Sequence, residues 1–122
     1  MLIGLDHVQI VAGPGSEDRL RRFYCGVLGL AEIDKPEALR SRGGLWLDCG
    51  NMELHIGIDS TPPFNRPSKR HVAFQTADLA ALRARLESAG YQIEDDRAPL
   101  PGMTRFYTRD PADNRVEFVQ RD

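Results

Sequence analysis

The sequence is poor in three features that would narrow its class at once: paired cysteines, long apolar runs and an excess of one charge. Its two cysteines, Cys25 and Cys49, match neither a CxxC redox motif nor a zinc ribbon, so we expect reduced thiols. The apolar runs are far shorter than a membrane span, and the first residues lack the layout of a signal peptide. We therefore expect a cytoplasmic location and no membrane partner.

The charge balance and the length set further limits on the class of protein. A formal net charge of -2 offers no basic field, so nucleic acid is not an expected partner. The 122 residues, 41% of them hydrophobic, are enough to build one domain with a real core. We therefore expect residues 1–122 to form a single domain.

The order of predicted elements occurs twice along the chain. A proline-rich connector at about 59–70 separates module one, about 1–58, from module two, about 71–122. Each module opens with a histidine-bearing strand, GLDHVQIV at 4–11 and KRHVAFQT at 69–76. A helix follows, and three short strands come after it, near LAEID, GLWLDC and NMELHIGI in the first module and YQIEDD, MTRFYT and NRVEFVQ in the second. The pattern predicts an α+β protein made of two βαβββ modules.

Each predicted helix has an N-cap residue, an apolar face and a glycine that ends it. Ser16 and Asp78 are the candidate N-caps, and Gly29 and Gly90 are the candidate stops. The apolar residues recur at helical spacing and should face the core. They are Leu20, Phe23, Tyr24 and Val27 in the first helix, and Leu79, Leu82, Leu86 and Ala89 in the second.

The candidate site consists of polar residues on the first and last strands of each module. His7 and His71 lie on the first strands, and aligning Met52-Glu53-Leu54 with Val116-Glu117-Phe118 places Glu53 and Glu117 on the last. Side chains alternate along a strand, so Glu117 faces away from apolar Val116 and Phe118. Imidazoles and carboxylates on one surface are the ligand set of zinc, nickel, manganese or ferrous iron. His55 shares the face of Glu53 and could replace it as the fourth ligand or supply a base beside the metal.

Several motifs resemble one protein family over nearly the whole chain. The segments LDHVQI, RRFYCGVLGL, LAALRARLESAG and DPADNRVEF are similar to those of the vicinal oxygen chelate superfamily, also called the glyoxalase, bleomycin-resistance and extradiol dioxygenase group. The resemblance implies two βαβββ modules whose sheets curl around a metal-binding cleft with one divalent metal ion per site. Its ligand positions fall on His7, Glu53, His71 and Glu117. It also implies a homodimer. One departure is DPADN, which has Ala-Asp where Asp-Gly is common in the family.

The resemblance leaves two classes of function open. In the first, a metal-dependent enzyme chelates two oxygens of a small substrate: an isomerase or lyase uses Glu53 or Glu117 to move a proton, whereas a dioxygenase uses a triad of His7, His71 and Glu117. In the second, a binding protein sequesters a drug or metabolite without turnover. Trp46, Tyr107 and Phe64 could supply aromatic rings that stack on the bound drug, metabolite or substrate.

Arg105 raises the question of the ligand's charge. It shares a strand face with Tyr107, opposite Phe106, and should point toward the same polar surface as Glu117. A guanidinium held there needs an anionic partner. The partner is either Glu53 or Glu117 in a structural salt bridge, or a carboxylate or phosphate of the substrate.

Overall fold

The structure, a computed structural model, describes residues 1–61 and 68–122 and divides into two compact units, Met1–Arg66 and Pro67–Asp122. Residues 62–67, in the connector predicted at about 59–70, lie outside the described part. Each unit contains one four-stranded mixed sheet and helical segments, which confirms the α+β prediction. No helix in the described ranges has the length and apolar character needed to cross a membrane.

Module one pairs its first strand with its last. Its sheet has the order β1-β4-β3-β2, in which β1 and β4 run parallel and the other neighbours antiparallel. A 3-10 segment that the sequence pattern did not predict, Glu37–Arg42, lies between β2 and β3. The four strands, close to those predicted, are β1 (His7–Ala12), β2 (Ala31–Ile33), β3 (Leu45–Asp48) and β4 (Glu53–Ile58).

The helical segment of module one differs from the single α-helix that the sequence predicts. Helix α1 (Glu17–Arg21) continues as a π-helical segment, Arg22–Val27, in which the Leu28 amide donates to the Phe23 carbonyl five residues back at 3.0 Å. Phe23 and Tyr24 are both fully buried. Ser16 occupies the N-cap position, but its hydroxyl donates to the Gly13 carbonyl (2.6 Å) and caps no helix amide.

Module two repeats the same topology, with the order β5-β8-β7-β6 and a parallel pair β5 and β8. The carboxylate of Asp78 accepts from the Ala81 amide at 2.9 Å, which confirms the predicted cap of α2. Leu79 and Leu86 are buried, but Ala89 is exposed because it lies beyond the last helical residue. The elements are β5 (His71–Gln75), α2 (Leu79–Ser88), β6 (Glu94–Asp95), β7 (Met103–Arg109) and β8 (Arg115–Arg121).

The turn between β7 and β8 explains the departure from the Asp-Gly motif. Buried Asp110 accepts hydrogen bonds from the amides of Ala112 (2.8 Å) and Asn114 (2.9 Å) and from the Asn114 side chain (3.0 Å). Asp113 takes the left-handed conformation, with φ of 66°, that a glycine would otherwise supply. Aspartate tolerates this conformation better than most residues. The turn therefore closes without glycine and sets where β8 begins.

Candidate functional site

The strand register shows which residues of the two modules occupy equivalent positions. On the parallel pair of module one, His7 lies beside Glu53 and Gln9 beside His55. On the parallel pair of module two, His71 lies beside Arg115 and Ala73 beside Glu117. The counterpart of Glu117 is therefore His55, and the counterpart of Glu53 is Arg115.

This register corrects the sequence alignment of the two repeats, which placed Glu53 opposite Glu117 and is wrong by two residues. Spacing along the chain includes the loops, which differ between the modules, whereas the register is set by hydrogen bonds between strands. The next strands agree with the corrected equivalence, because Trp46 lies across from His55 and Tyr107 across from Glu117. Each module thus places an aromatic residue beside the same position of its last strand.

His55 is fixed by its neighbours in module one. Its ring stacks between the ring of His7, at 4.1 Å between centroids, and the ring of Trp46, at 3.9 Å and 4° between planes. Its Nε2 donates to Glu53 Oε1 at 2.9 Å. The His55 side chain is 7% exposed and that of Glu53 is 40% exposed. His55 is therefore held on three sides, whereas the Glu53 carboxylate is open to solvent.

Each of the three histidines has one ring nitrogen engaged by an oxygen acceptor. His7 Nδ1 contacts Asp6 Oδ2 at 2.7 Å, and His71 Nδ1 contacts the Lys69 carbonyl oxygen at 2.7 Å. A carbonyl and an ionised carboxylate can only accept, so both Nδ1 atoms carry the proton and both Nε2 atoms keep a lone pair in the neutral ring. For His55 the roles are reversed, and Nδ1 keeps the lone pair. This is the arrangement in which a histidine binds a metal ion through its other nitrogen.

Glu117 is the corresponding buried position in module two. Its side chain is 8% exposed, and Oε1 lies 3.6 Å from both His71 Nε2 and Arg105 Nη1. Burial and the hydrogen bond to Glu117 raise the pKa of Tyr107, so this phenol stays protonated at neutral pH and can donate to the carboxylate. The Tyr107 ring also meets His71 edge-on at 5.9 Å. Glu117 is therefore held by several groups.

Arg105 has an acid partner that the sequence did not reveal. Its Nε donates to Asp96 Oδ2 at 2.9 Å, closer than the 3.6 Å between Arg105 Nη1 and Glu117 Oε1. The Arg105–Asp96 hydrogen bond lowers the pKa of Asp96. Asp95 lies across from Phe106, so the antiparallel register carried one residue further predicts this pair. The salt-bridge alternative for Arg105 is thus the one present, with Asp96 as its principal acid.

Within each module, the histidine and acidic side chains contact one another only in small groups. Within residues 1–61 and 68–122, no three His, Cys, Asp or Glu side chains converge as a metal site. Trp46 has one face covered by His55, and Phe64, an expected aromatic wall, lies outside the described residues. Cys25 and Cys49 are free thiols, as expected.

The fold and these motifs define a small two-module protein of the vicinal oxygen chelate type. The family model for the Glyoxalase/Bleomycin resistance protein/Dioxygenase superfamily matches residues 4–118, and the chain belongs to this superfamily.

Individual relatives agree with this assignment. A protein of Bacillus anthracis attributed to the glyoxalase family is 40% identical and has a similar structure, with a TM-score of 0.90 over 100% of this chain and 98% of that chain. TnmS3, an antibiotic binding protein from Streptomyces sp. CB03234, shares the fold at 20% identity and a TM-score of 0.76, over 99% and 98% of the two chains. The Arabidopsis thaliana protein Glyoxylase I 4 is 29% identical over 96 residues, which are 73% of this chain and 53% of that protein. The chain thus spans about half the length of this curated relative.

The Arg105–Asp96 pair predicts how stability depends on pH. Because the folded-state pKa of Asp96 is lowered, its contribution is present above the unfolded value, about 3.9, and is lost as the pH falls through the folded value. Arg105→Met should therefore be less stable than the wild type at neutral pH, and the difference should shrink on acidification below about pH 4. Urea unfolding, followed by circular dichroism from neutral pH to below about pH 4, measures the free energy of unfolding of both proteins.

A control for this prediction is Arg83→Met, which removes an arginine of the same module from the exposed acids Glu87 and Asp95. Exposed ion pairs contribute little, so this variant should stay close to the wild type at every pH. A stability difference for Arg105→Met that is constant over the whole pH range would contradict the role given to Asp96.

Proposed function

We propose that the chain supplies His7, His55, His71 and Glu117 as ligands for divalent cations and acts as a metal-dependent enzyme on a small oxygen-bearing molecule. The observation that carries the proposal is that an oxygen acceptor engages one ring nitrogen of each of the three imidazoles, which leaves the other nitrogen as the one that can bind a metal ion. His55 is preferred to Glu53 as the fourth ligand because it is the register counterpart of Glu117.

The donor set fits a cation of the zinc, nickel, manganese or ferrous iron class, because neutral imidazole and carboxylate suit all four. Asp6, the Lys69 carbonyl and Glu53 each orient one ring, a task that acceptors around metal-binding histidines commonly perform. When bound, the cation would act as a Lewis acid on an oxygen of the substrate.

The two glutamates are suited to different tasks. Glu117 is buried between Arg105, Tyr107 and His71, which favours a fixed carboxylate. Glu53 is 40% exposed and touches His55 through Oε1, so it is the carboxylate that can reach a substrate and accept a proton from carbon. We therefore favour an isomerase or lyase, with Glu53 as general base, over a dioxygenase, whose triad of His7, His71 and Glu117 needs no such base.

The alternative is a protein that sequesters a drug or metabolite without turnover, and the shared fold of an antibiotic-binding protein is compatible with it. Trp46 would then supply a ring face for the ligand, whereas the Tyr107 ring is buried and lies against the Arg115 guanidinium. A calorimetric screen of small 2-oxo acids, 2-hydroxy acids, catechols and thiol adducts, followed by product analysis of every ligand that binds, separates the two. Binding without turnover at any metal loading would favour sequestration.

The metal proposal predicts the content of the purified protein. Prepared without chelator, it should contain about one divalent ion per chain, and the double variant His7→Ala/His71→Ala should lose it while staying folded. Elemental analysis and equilibrium dialysis with zinc, nickel, manganese and iron measure the content and the affinity. Dissociation constants no better than about millimolar for all four metals would exclude the site.

The choice between His55 and Glu53 predicts opposite outcomes for two single variants. His55→Phe keeps a ring in the stack but removes the nitrogen donors, so metal binding should be lost. Glu53→Gln keeps an acceptor for His55 and should lower the metal affinity by no more than about 10- to 100-fold, the effect of a residue that orients a ligand. Equilibrium dialysis compares the variants, and thermal unfolding checks that both are folded. Glu53→Gln losing the metal while His55→Phe retains it would make Glu53 the ligand.

We also propose a homodimer. Leu2, Ile3 and Leu5 are 99%, 104% and 70% exposed, and adjacent exposed apolar side chains are commonly covered by a partner. Light scattering at about micromolar concentration should give twice the chain mass, as expected for affinities typical of stable dimers. The variant Leu2→Asp/Leu5→Asp should shift the protein toward the monomer, and a monomer mass for the wild type would contradict the proposal.

A further inference from the structure

Four arginines lie on the face of module two that carries His71 and Glu117. Arg121 is exposed at the end of β8. The other three, Arg105, Arg109 and Arg115, form a set whose charges are satisfied in different ways. Arg105 pairs with Asp96 and Glu117. Arg109 donates to the Asp113 carbonyl at 3.1 Å and lies 4.0 Å from the Asp113 carboxylate. In the described ranges no hydrogen bond or ion pair joins the Arg115 side chain to another residue, and residues 62–67 contain no Asp or Glu that could pair with its charge. Arg115 is thus the cation of this set without a counter-charge.

The Arg115 guanidinium is nevertheless held in place. Its central carbon lies 4.0 Å from the centroid of the Tyr107 ring, the same ring that contacts Glu117 and His71. A guanidinium stacked on an aromatic face keeps the N–H groups at its edge free for a planar, two-pronged contact. The contact with Tyr107 therefore restrains the Arg115 side chain without using its N–H groups.

The backbone register places Arg115 where an unpaired positive charge destabilises the fold. Arg115 lies directly across from Arg109 on the β7–β8 ladder, and like charges at such positions repel. On its other side it lies beside His71. An anion bound here would relieve the repulsion, which gives this place on the sheet a preference for negative charge.

We propose that Arg115 binds an anionic oxygen group, a carboxylate or a phosphate, of the small molecule that is processed at the site. In module one the register counterpart of Arg115 is Glu53, the proposed general base. The two equivalent positions thus carry opposite charges, one for proton transfer and one for holding the substrate. This assignment rests on the proposed function for the identity of the site, but the binding of an anion by Arg115 can be measured without it.

The test is calorimetric titration of inorganic phosphate and of pyruvate into the protein, metal-free and loaded with manganese. The two probes distinguish a phosphate from a carboxylate as the preferred group. Arg115→Met should weaken binding of the preferred probe by at least about tenfold, the effect of losing a hydrogen bond to a charged group. The matched control Arg83→Met removes an arginine of α2 that pairs with Glu87 and Asp95, and it should change the affinity by less than about twofold.

Arg115→Lys and one further measurement guard against a misfolded variant. Lysine keeps the charge but not the planar fork, so its affinity should fall between those of the wild type and Arg115→Met. In the wild type, the Arg115 side-chain Nε–H resonance should shift during the titration. Equal anion affinity in Arg115→Met and wild type, or no anion binding to the wild type in either form, would overturn the proposal.

Failure of the anion proposal and failure of the metal proposal give different results. If manganese binds and Arg115→Met retains full anion affinity, the metal site stands and Arg115 only packs on Tyr107. If none of zinc, nickel, manganese and iron binds but anion affinity still depends on Arg115, the anion site stands and the metal proposal fails.

Discussion

The parallel pairing of the first and last strands of each module is the constraint on which the candidate site depends. It brings residues that are far apart in sequence, such as His7 and Glu53, side by side on one face of a sheet. A slip of one residue would turn the polar set toward the core, so burial of residues such as Leu54 and Val116 excludes it. A shift of two residues keeps every side chain on its face and changes only its neighbours. That difference decides whether Glu53 or His55 corresponds to Glu117.

Much of the fold could be predicted because its signals are local. The alternation of apolar and polar residues located the eight strands of residues 1–61 and 68–122, and Asp78 marked the start of α2. The same alternation placed Glu117 opposite Val116 and Phe118, and the prediction did not depend on knowing which strands pair. The π-helical segment was not predicted, because its apolar residues have the spacing of an ordinary helix and the change in hydrogen bonding leaves no mark in that spacing.

The parts of the site that could not be predicted depend on pairing between strands or on hydrogen bonds of individual atoms. Asp96 became visible as the partner of Arg105 only through the register of β6 and β7. The nitrogen that each histidine keeps available depends on where a nearby oxygen lies, such as the Lys69 carbonyl. The alignment of Met52-Glu53-Leu54 with Val116-Glu117-Phe118 was a misleading signal, because similar strand motifs do not fix which residues pair with the first strand of each module.

Trp46 is the single tryptophan of the chain, and its ring lies almost parallel to that of His55. The indole emission therefore comes from one place, in direct contact with an imidazole of the candidate site. Any event that withdraws electron density from that imidazole or displaces it changes the surroundings of the fluorophore. The protein thus carries its own optical reporter at this position, with no other indole to mask the signal.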